Sequence, residues 1–327
     1  MASVNTVTGQ VDSADLGVTY MHEHIFVVSP ELQFYWPGYQ GWDEDRYVEH
    51  GHETLKRLHD EYGVDTIMDP TVPGLGRNIR AVARAVAGTG LNVVVCTGWY
   101  VYNELPWTFF MLDTAAKAAE LERLFVRDFE EGLDGTDIRP GAIKCSTDVA
   151  GITPDVEAVL RAAARAHLRT GLPLITHTNY INQGGLLQQR IFKEEGVDMG
   201  AVLIGHCNES DDLGYLETLI DGGTFIGFDR CGLESPVASL ETQLENLAEL
   251  CRRGYSKRIV LAHDNFVFMD LLAPGGMDWS GWAIPRYGHI HAQTVPGLRE
   301  RGITDQQLDD MLVDAPREYF SRLATGA

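Results

Sequence analysis

Residues 141–177 read GAIKCSTDVAGITPDVEAVLRAAARAHLRTGLPLITH. A short apolar run, Gly141–Cys145, is followed by a loop and by Pro154–Arg169, where apolar residues recur at helical spacing; a second apolar run, Leu172–Thr176, comes next. The runs have the length and β-branched content of buried strands, and the stretch between them has the period of an amphipathic helix. A chain that always passes through a helix before its next strand builds a parallel sheet. The same unit recurs on both sides. Towards the N-terminus lie the runs Gly17–Tyr20, Thr66–Met68 and Asn92–Cys96, with helical stretches Glu53–Glu61, Ile79–Ala87 and Ala115–Glu130. Towards the C-terminus lie Ala201–Ile204, Thr224–Phe228 and Arg258–Leu261, with Leu213–Ile220 and Leu240–Arg252. Eight such runs predict an α/β fold, a closed (β/α)8 TIM barrel, and a single domain over 1–327. An open doubly wound sheet would place a glycine-rich phosphate turn after its first strand. Met21-His22-Glu23-His24 stands there instead, and Gly74-Leu75-Gly76 has no third glycine in register.

Composition narrows the function classes. Hydrophobic residues make up 44% of the 327, enough for a large core. The formal net charge of -21 repels phosphate backbones and anionic lipid, so neither nucleic acid nor a membrane is expected as a partner. The five cysteines, Cys96, Cys145, Cys207, Cys231 and Cys251, form no CxxC pair and suit reduced thiols. The first residues carry no basic segment followed by an apolar one, and no apolar run reaches the ~18 residues of a membrane span, so a cytoplasmic location is expected.

Side chains that bind metals fall at the C-terminal ends of the runs, the face where barrel enzymes place their sites. His22 and His24, two apart, are expected to face the barrel mouth together while Glu23 faces out. Lys144 ends the fourth run, His177 the fifth, His206 the sixth and Asp264 the eighth, with the seventh free of ligands. Lys144 precedes His177 by 33 residues, and His177 precedes His206 by 29; one βα unit of such a barrel takes roughly 31. Four imidazoles with one or two anionic oxygens suit divalent transition metals, zinc first and otherwise cobalt, manganese or iron. A lysine at this depth is costly as an ammonium. It either reaches water or an acid, or carries a carbamate formed from its neutral amine and CO2, whose two oxygens can bridge cations. His50 and His52 read as solvated at the start of a helix, His289 and His291 as at most part of a lid, and His263 as a packing residue. Cys145 and Cys207 follow ligands on their strands and are expected to face away. His-Glu-x-x-His, Gly-x-Ser-x-Gly and Walker-type loops are all missing.

These residues together resemble a known family. His22-Glu23-His24, Gly141-Ala142-Ile143-Lys144, His177, Ile204-Gly205-His206-Cys207 and His263-Asp264 are similar to the phosphotriesterase family of the amidohydrolase superfamily. Thr97-Gly98-Trp99-Tyr100, Gly227-Phe228-Asp229-Arg230 and Ala315–Phe320 agree with it, so the resemblance runs from about Asn5 to Phe320. The Tyr100 and Arg230 pair resembles the phosphotriesterase-like lactonase branch. The resemblance implies two metals bridged by N6-carboxylated Lys144 and hydroxide, with His22, His24 and Asp264 on the inner ion and His177 and His206 on the outer. It implies Asp264, Tyr100 and Arg230 as catalytic residues, a small-molecule lactone or ester as substrate, N-acyl-homoserine lactones included, weak phosphotriesterase activity, and a homodimer. Read without the family, Tyr100 packs under a loop and Arg230 makes a salt bridge with Asp229 as its nearest candidate. A dedicated phosphotriesterase, a cyclic-amide hydrolase and a non-catalytic binding barrel remain alternatives. The segment from Asn265 to His289, with Phe266, Phe268, Met269, Leu271, Leu272, Trp279 and Trp282, forms either an apolar acyl channel or loop packing. It reads Asn265-Phe266-Val267 where some lactonases carry cysteine, which leaves the acyl preference open.

Overall fold

The computed structural model describes residues 2–234, 238–272 and 287–322. Eight parallel strands lie in chain order: β1 (Thr19–Tyr20), β2 (Thr66–Asp69), β3 (Asn92–Gly98), β4 (Ala142–Ser146), β5 (Leu174–His177), β6 (Val202–Ile204), β7 (Phe225–Phe228) and β8 (Ile259–Leu261). Each pairs in parallel with the next. The ring is completed where the backbone amide of Met21 donates to Leu261 O at 3.1 Å and that of Asp264 to His22 O at 3.0 Å. This is the nearly closed (β/α)8 barrel expected from the repeat.

Helices follow the strands: α1 (Glu44–Tyr62), α2 (Ile79–Val86), α3 (Thr114–Glu131), α4 (Pro154–Thr170), α5 (Gly184–Glu194), α6 (Leu213–Asp221) and α7 (Leu240–Arg252). Their starts are set by sequence. Asp43, Asn78, Asp113, Thr153, Asp212 and Ser239 each cap an N-terminus through a side-chain oxygen, an interaction worth about 1 kcal/mol. Helix α1 begins well before the expected Glu53, because Asp43 caps it there and Glu44 and Asp45 favour its positive end. His50 and His52 therefore lie in mid-helix, not at its start. His50 is exposed, while His52 sits against Ala85 O.

The strand period sorts the core into two layers. Ala142, Ile175, Leu203, Phe225 and Val260 point into the barrel, where Tyr319 and Phe320 of the closing helix Ala315–Ser321 join them, both fully buried. Ile143, Cys145, Leu174, Ile204, Ile226 and Leu261 point outward to the helices. Alternation therefore sends Lys144 inward above Ala142, and Cys145 outward. Cys145 and Cys207 do face away from the mouth, and all five cysteines are buried and unpaired. Among the described residues no helix is long and apolar enough to cross a membrane.

Part of the last long segment is packing. Phe268–Met269 pairs with Phe26–Val27, and the Phe268 ring lies 4.9 Å from Trp42 and 4.4 Å from Tyr47. Phe268 is thus a core residue and not part of an acyl channel. Trp279 and Trp282 lie outside the described residues.

Candidate metal centre

His22 and His24 follow β1, with ring centroids 5.4 Å apart. The His24 Nε2 lies 3.3 Å from Asp264 Oδ1, and the His22 Nε2 lies 3.5 Å from the same oxygen. Lys144 Nζ donates to His22 Nε2 at 3.1 Å, and only 1% of the residue is exposed. The His206 ring lies 4.9 Å from His22 and edge-on to His177 at 4.5 Å, and Tyr100 stands edge-on to His177 at 5.1 Å. The fold thus brings together all six residues expected to bind metal, with Tyr100 and Arg230 beside them.

The tautomers are set from behind. Asp229, at the end of β7, accepts from His22 Nδ1 at 2.9 Å with one oxygen and from His206 Nδ1 at 3.0 Å with the other, which also takes the His206 amide at 2.7 Å. Thr71 gives its proton to Asp69, so its oxygen accepts from His24 Nδ1 at 2.6 Å. Each of these three imidazoles keeps its lone pair on Nε2, which in His22 accepts from Lys144. Ligands supported in this way are what a metal site requires. His22, His24 and Asp264 offer donor atoms close enough to share one ion, as do His22, His206 and Asp229. The first group fits better, since both Asp229 oxygens are already held by N–H groups. The donor set therefore fits a divalent transition metal.

Burial governs the charges. It lowers His22 to about 4, with Lys144 adding to the effect, and holds His206 well below its usual value and His177 below it. It also lowers the Lys144 amine to about 8. His24 goes the other way: burial opposes protonation, but Asp264 and Asp69 outweigh it. A proton is drawn to the position where a cation would be drawn. Burial would also raise Asp264, yet Arg230, His22 and His206 hold its carboxyl well below the usual range.

Several details differ from the sequence reading. Strand β1 ends at Tyr20, so His22 and His24 converge from the loop after it. Glu23 faces away from the mouth, as expected, but not into solvent. It is fully buried behind the mouth, where its carboxylate accepts from His263 Nδ1 at 2.6 Å and from the amides of His263 and Asn265. His263 accepts from the Ile290 amide at 3.0 Å, which gives it the expected packing role. His206 and Asp264 lie past their strand ends with φ of 59° and 55°. This left-handed backbone is uncommon for residues other than glycine and recurs at functional sites. Arg230 makes its salt bridges to Asp264 (2.8 Å) and Glu209 (2.8 Å), not to Asp229. His291 bonds Tyr20 below the site, so it is no part of a lid.

Strand β7 supplies no ligand to the preferred group, as expected, but the motifs give no sign of Asp229 as the support behind His22 and His206. The strand period shows it, since Phe225 faces in and Asp229 is four residues on. Asp69, Thr71, Asp148 and Glu209 also support the site and carry no motif of their own.

The phosphotriesterase family profile matches residues 2–320. The chain belongs to the phosphotriesterase family. A phosphotriesterase homology protein of Mycobacterium tuberculosis is 46% identical over 329 residues, covering 98% of both chains. The aryldialkylphosphatase of Saccharolobus solfataricus is 38% identical over 95% of this chain and 97% of its own. The solved structure of the phosphotriesterase from M. tuberculosis superposes with a TM-score of 0.91 at 44% identity, covering 98% of each chain. The protein is thus a phosphotriesterase-family hydrolase with histidine and aspartate groups able to hold metal.

Proposed function

We propose that this hydrolase is a binuclear metal-dependent lactonase, acting on lactones that include N-acyl-homoserine lactones, with phosphotriester hydrolysis as a secondary activity. The observation that carries the reading is the meeting of four imidazoles, the Lys144 amine and the Asp264 carboxylate at the barrel mouth, beside Tyr100 and Arg230. His22, His24 and Asp264 would hold one ion, His177 and His206 the other, with Lys144 between them as a carbamate. When bound, the ions, zinc first, supply Lewis acidity and an acidified water. The lowered Lys144 amine supports carbamate formation, in which the neutral nitrogen bonds the carbon of CO2 and releases a proton.

The side chains define the remaining roles. Asp264 turns Oδ2 to Arg230 and Oδ1 to the site, so Oδ1 is the atom able to take a proton. The Arg230 guanidinium, raised further by Glu209 and Asp264 against its burial, cannot accept that proton. It passes to the leaving alkoxide or to solvent. Burial pushes the Tyr100 phenol well above its usual value, so it stays protonated as a donor to an oxygen gaining charge. Two copies associate into a homodimer in this reading, which the aromatic side chains exposed on the mouth loops support.

A dedicated phosphotriesterase is the second reading, favoured by the name of the S. solfataricus relative. Rates on an acyl-homoserine lactone and on a nitrophenyl phosphotriester separate the two. Elemental analysis should find about two ions per chain, chelation should abolish activity, and Lys144→Ala should lose metal. Activity that survives complete metal removal would refute the reading.

A further inference from the structure

The Tyr100 side chain has few short contacts of its own. Its ring meets His177 at 5.1 Å and Tyr102 at 5.0 Å, edge-on in both cases. Its hydroxyl lies beside Tyr102 and 3.4 Å from both His177 nitrogens. Tyr102 is 55% exposed, so water competes for it. The placement of the phenol therefore depends on the backbone beneath it. Strand β3 has already ended at Gly98, and the Trp99 amide makes one more bond to β4, to Lys144 O at 3.0 Å.

Two further contacts hold the chain beyond that point. The Tyr100 amide donates to Pro73 O at 2.9 Å, in the loop after β2. The next residue, Val101, is held by Ser146 of β4. The Val101 amide donates to Ser146 Oγ at 3.0 Å, and Ser146 Oγ donates to Val101 O at 2.8 Å. A hydroxyl carries one proton and can accept besides, so this one is used in both directions. It does for Val101 what a neighbouring strand would do. Ser146 and Val101 are both buried, so without the hydroxyl two backbone groups would be left unpaired away from water. Ser146 also stands opposite His177 in the register of β4 and β5. One residue thus ties the backbone beside Tyr100 to the rung carrying the imidazole that Tyr100 faces.

We propose that Ser146 is a positioning residue for lactone hydrolysis: its hydroxyl clamps Val101 and so holds the Tyr100 phenol where it can donate to the substrate oxygen. The assignment rests on the donor role proposed for Tyr100. A donor to charge that develops in the transition state must be in place beforehand. Ser146 acts on it through the backbone, so its effect falls on kcat and not on metal binding.

The test is a double-mutant cycle of Ser146→Ala with Tyr100→Phe, on zinc-loaded protein with an acyl-homoserine lactone. Ser146→Ala should lower kcat by about 10-fold, part of what a displaced group costs, with KM and metal content little changed. Ser146→Thr, which keeps the hydroxyl, should recover part of the loss. In the Tyr100→Phe background Ser146→Ala should cost nothing further, because the donor it positions is gone. Equal losses in both backgrounds, or an unaltered kcat for Ser146→Ala, would overturn the proposal and leave the role of Tyr100 standing. An unaltered kcat for Tyr100→Phe would refute that role, and this proposal with it. A measurement on the unsubstituted protein covers variants that do not fold. The Val101 amide should exchange with deuterium as slowly as the amides within β4, and fast exchange would show that the clamp does not hold.

Discussion

Tyr100 and Arg230 show how neighbouring polar side chains divide the work of one site. Arg230 is locked between Glu209 and Asp264, so its charge holds a carboxylate in place. The Tyr100 hydroxyl lies 3.4 Å from both ring nitrogens of His177 and beside Tyr102, where it can turn to serve a substrate oxygen. Tyr100→Phe should therefore lower kcat on lactones by about 10²-fold, the cost of one lost donor to a developing oxyanion, with metal content unchanged. Steady-state kinetics beside elemental analysis checks this, and an unaltered kcat would remove Tyr100 from the chemistry. The buried imidazoles make a second prediction. His22 sits at about 4 when folded against 6.5 when exposed, and His177 and His206 are lowered too. Between those values the unfolded chain binds more protons than the folded one. Their contribution to stability is complete above pH 6.5 and is lost as the pH falls towards about 4. Urea midpoints of the metal-free protein should decline over that window, and a flat profile would contradict the burial argument.

Strand β3 shows how an element carries the site without supplying a ligand. Gly98, at φ 125°, pairs with Lys144, and a Cβ there would lie 1.9 Å from Lys144 O. Gly98→Ala must push β4 aside as well as strain the backbone, a strain of about 1–3 kcal/mol. It should lower the unfolding midpoint and the metal content together; a stable variant with two ions would show that β4 has room to move. The same elements show what sequence makes legible. The eight strands stand out because β-branched runs alternate with helical spacing, and Lys144 and His177 because they continue the strand period of Ala142 and Ile175. His206 and Asp264 are found by position alone, since their left-handed backbone has no mark in sequence. The supports escape for a different reason. Asp148, Asp229 and Glu209 work through contacts between loops, and Glu209 meets Arg230 21 residues away, a pairing no local pattern encodes. Alternation gives the direction of Glu23 but not what lies in that direction, here His263 and not water.

At the scale of the whole molecule, an acidic chain of net charge -21 carries large apolar side chains on two mouth loops. Phe34 is 78% exposed and Trp36 61% in the loop after β1; Trp107 is 88%, Phe110 81% and Met111 87% exposed in the loop after β3. Isolated exposed apolar residues are ordinary, but aromatic and methionine side chains in such numbers have the composition of an interface core. Two copies with this charge repel each other at long range, so association must come from burying these rings, and it should strengthen as salt screens the repulsion. The proposed homodimer therefore predicts that sedimentation gives twice the chain mass, more tightly at higher ionic strength. Trp107→Glu combined with Phe110→Glu should give a monomer, because each glutamate would have to be desolvated in the interface. Neither residue contacts the six candidate ligands, so metal content should stay the same. A double variant that keeps the native mass would place the dimer contact elsewhere on the barrel.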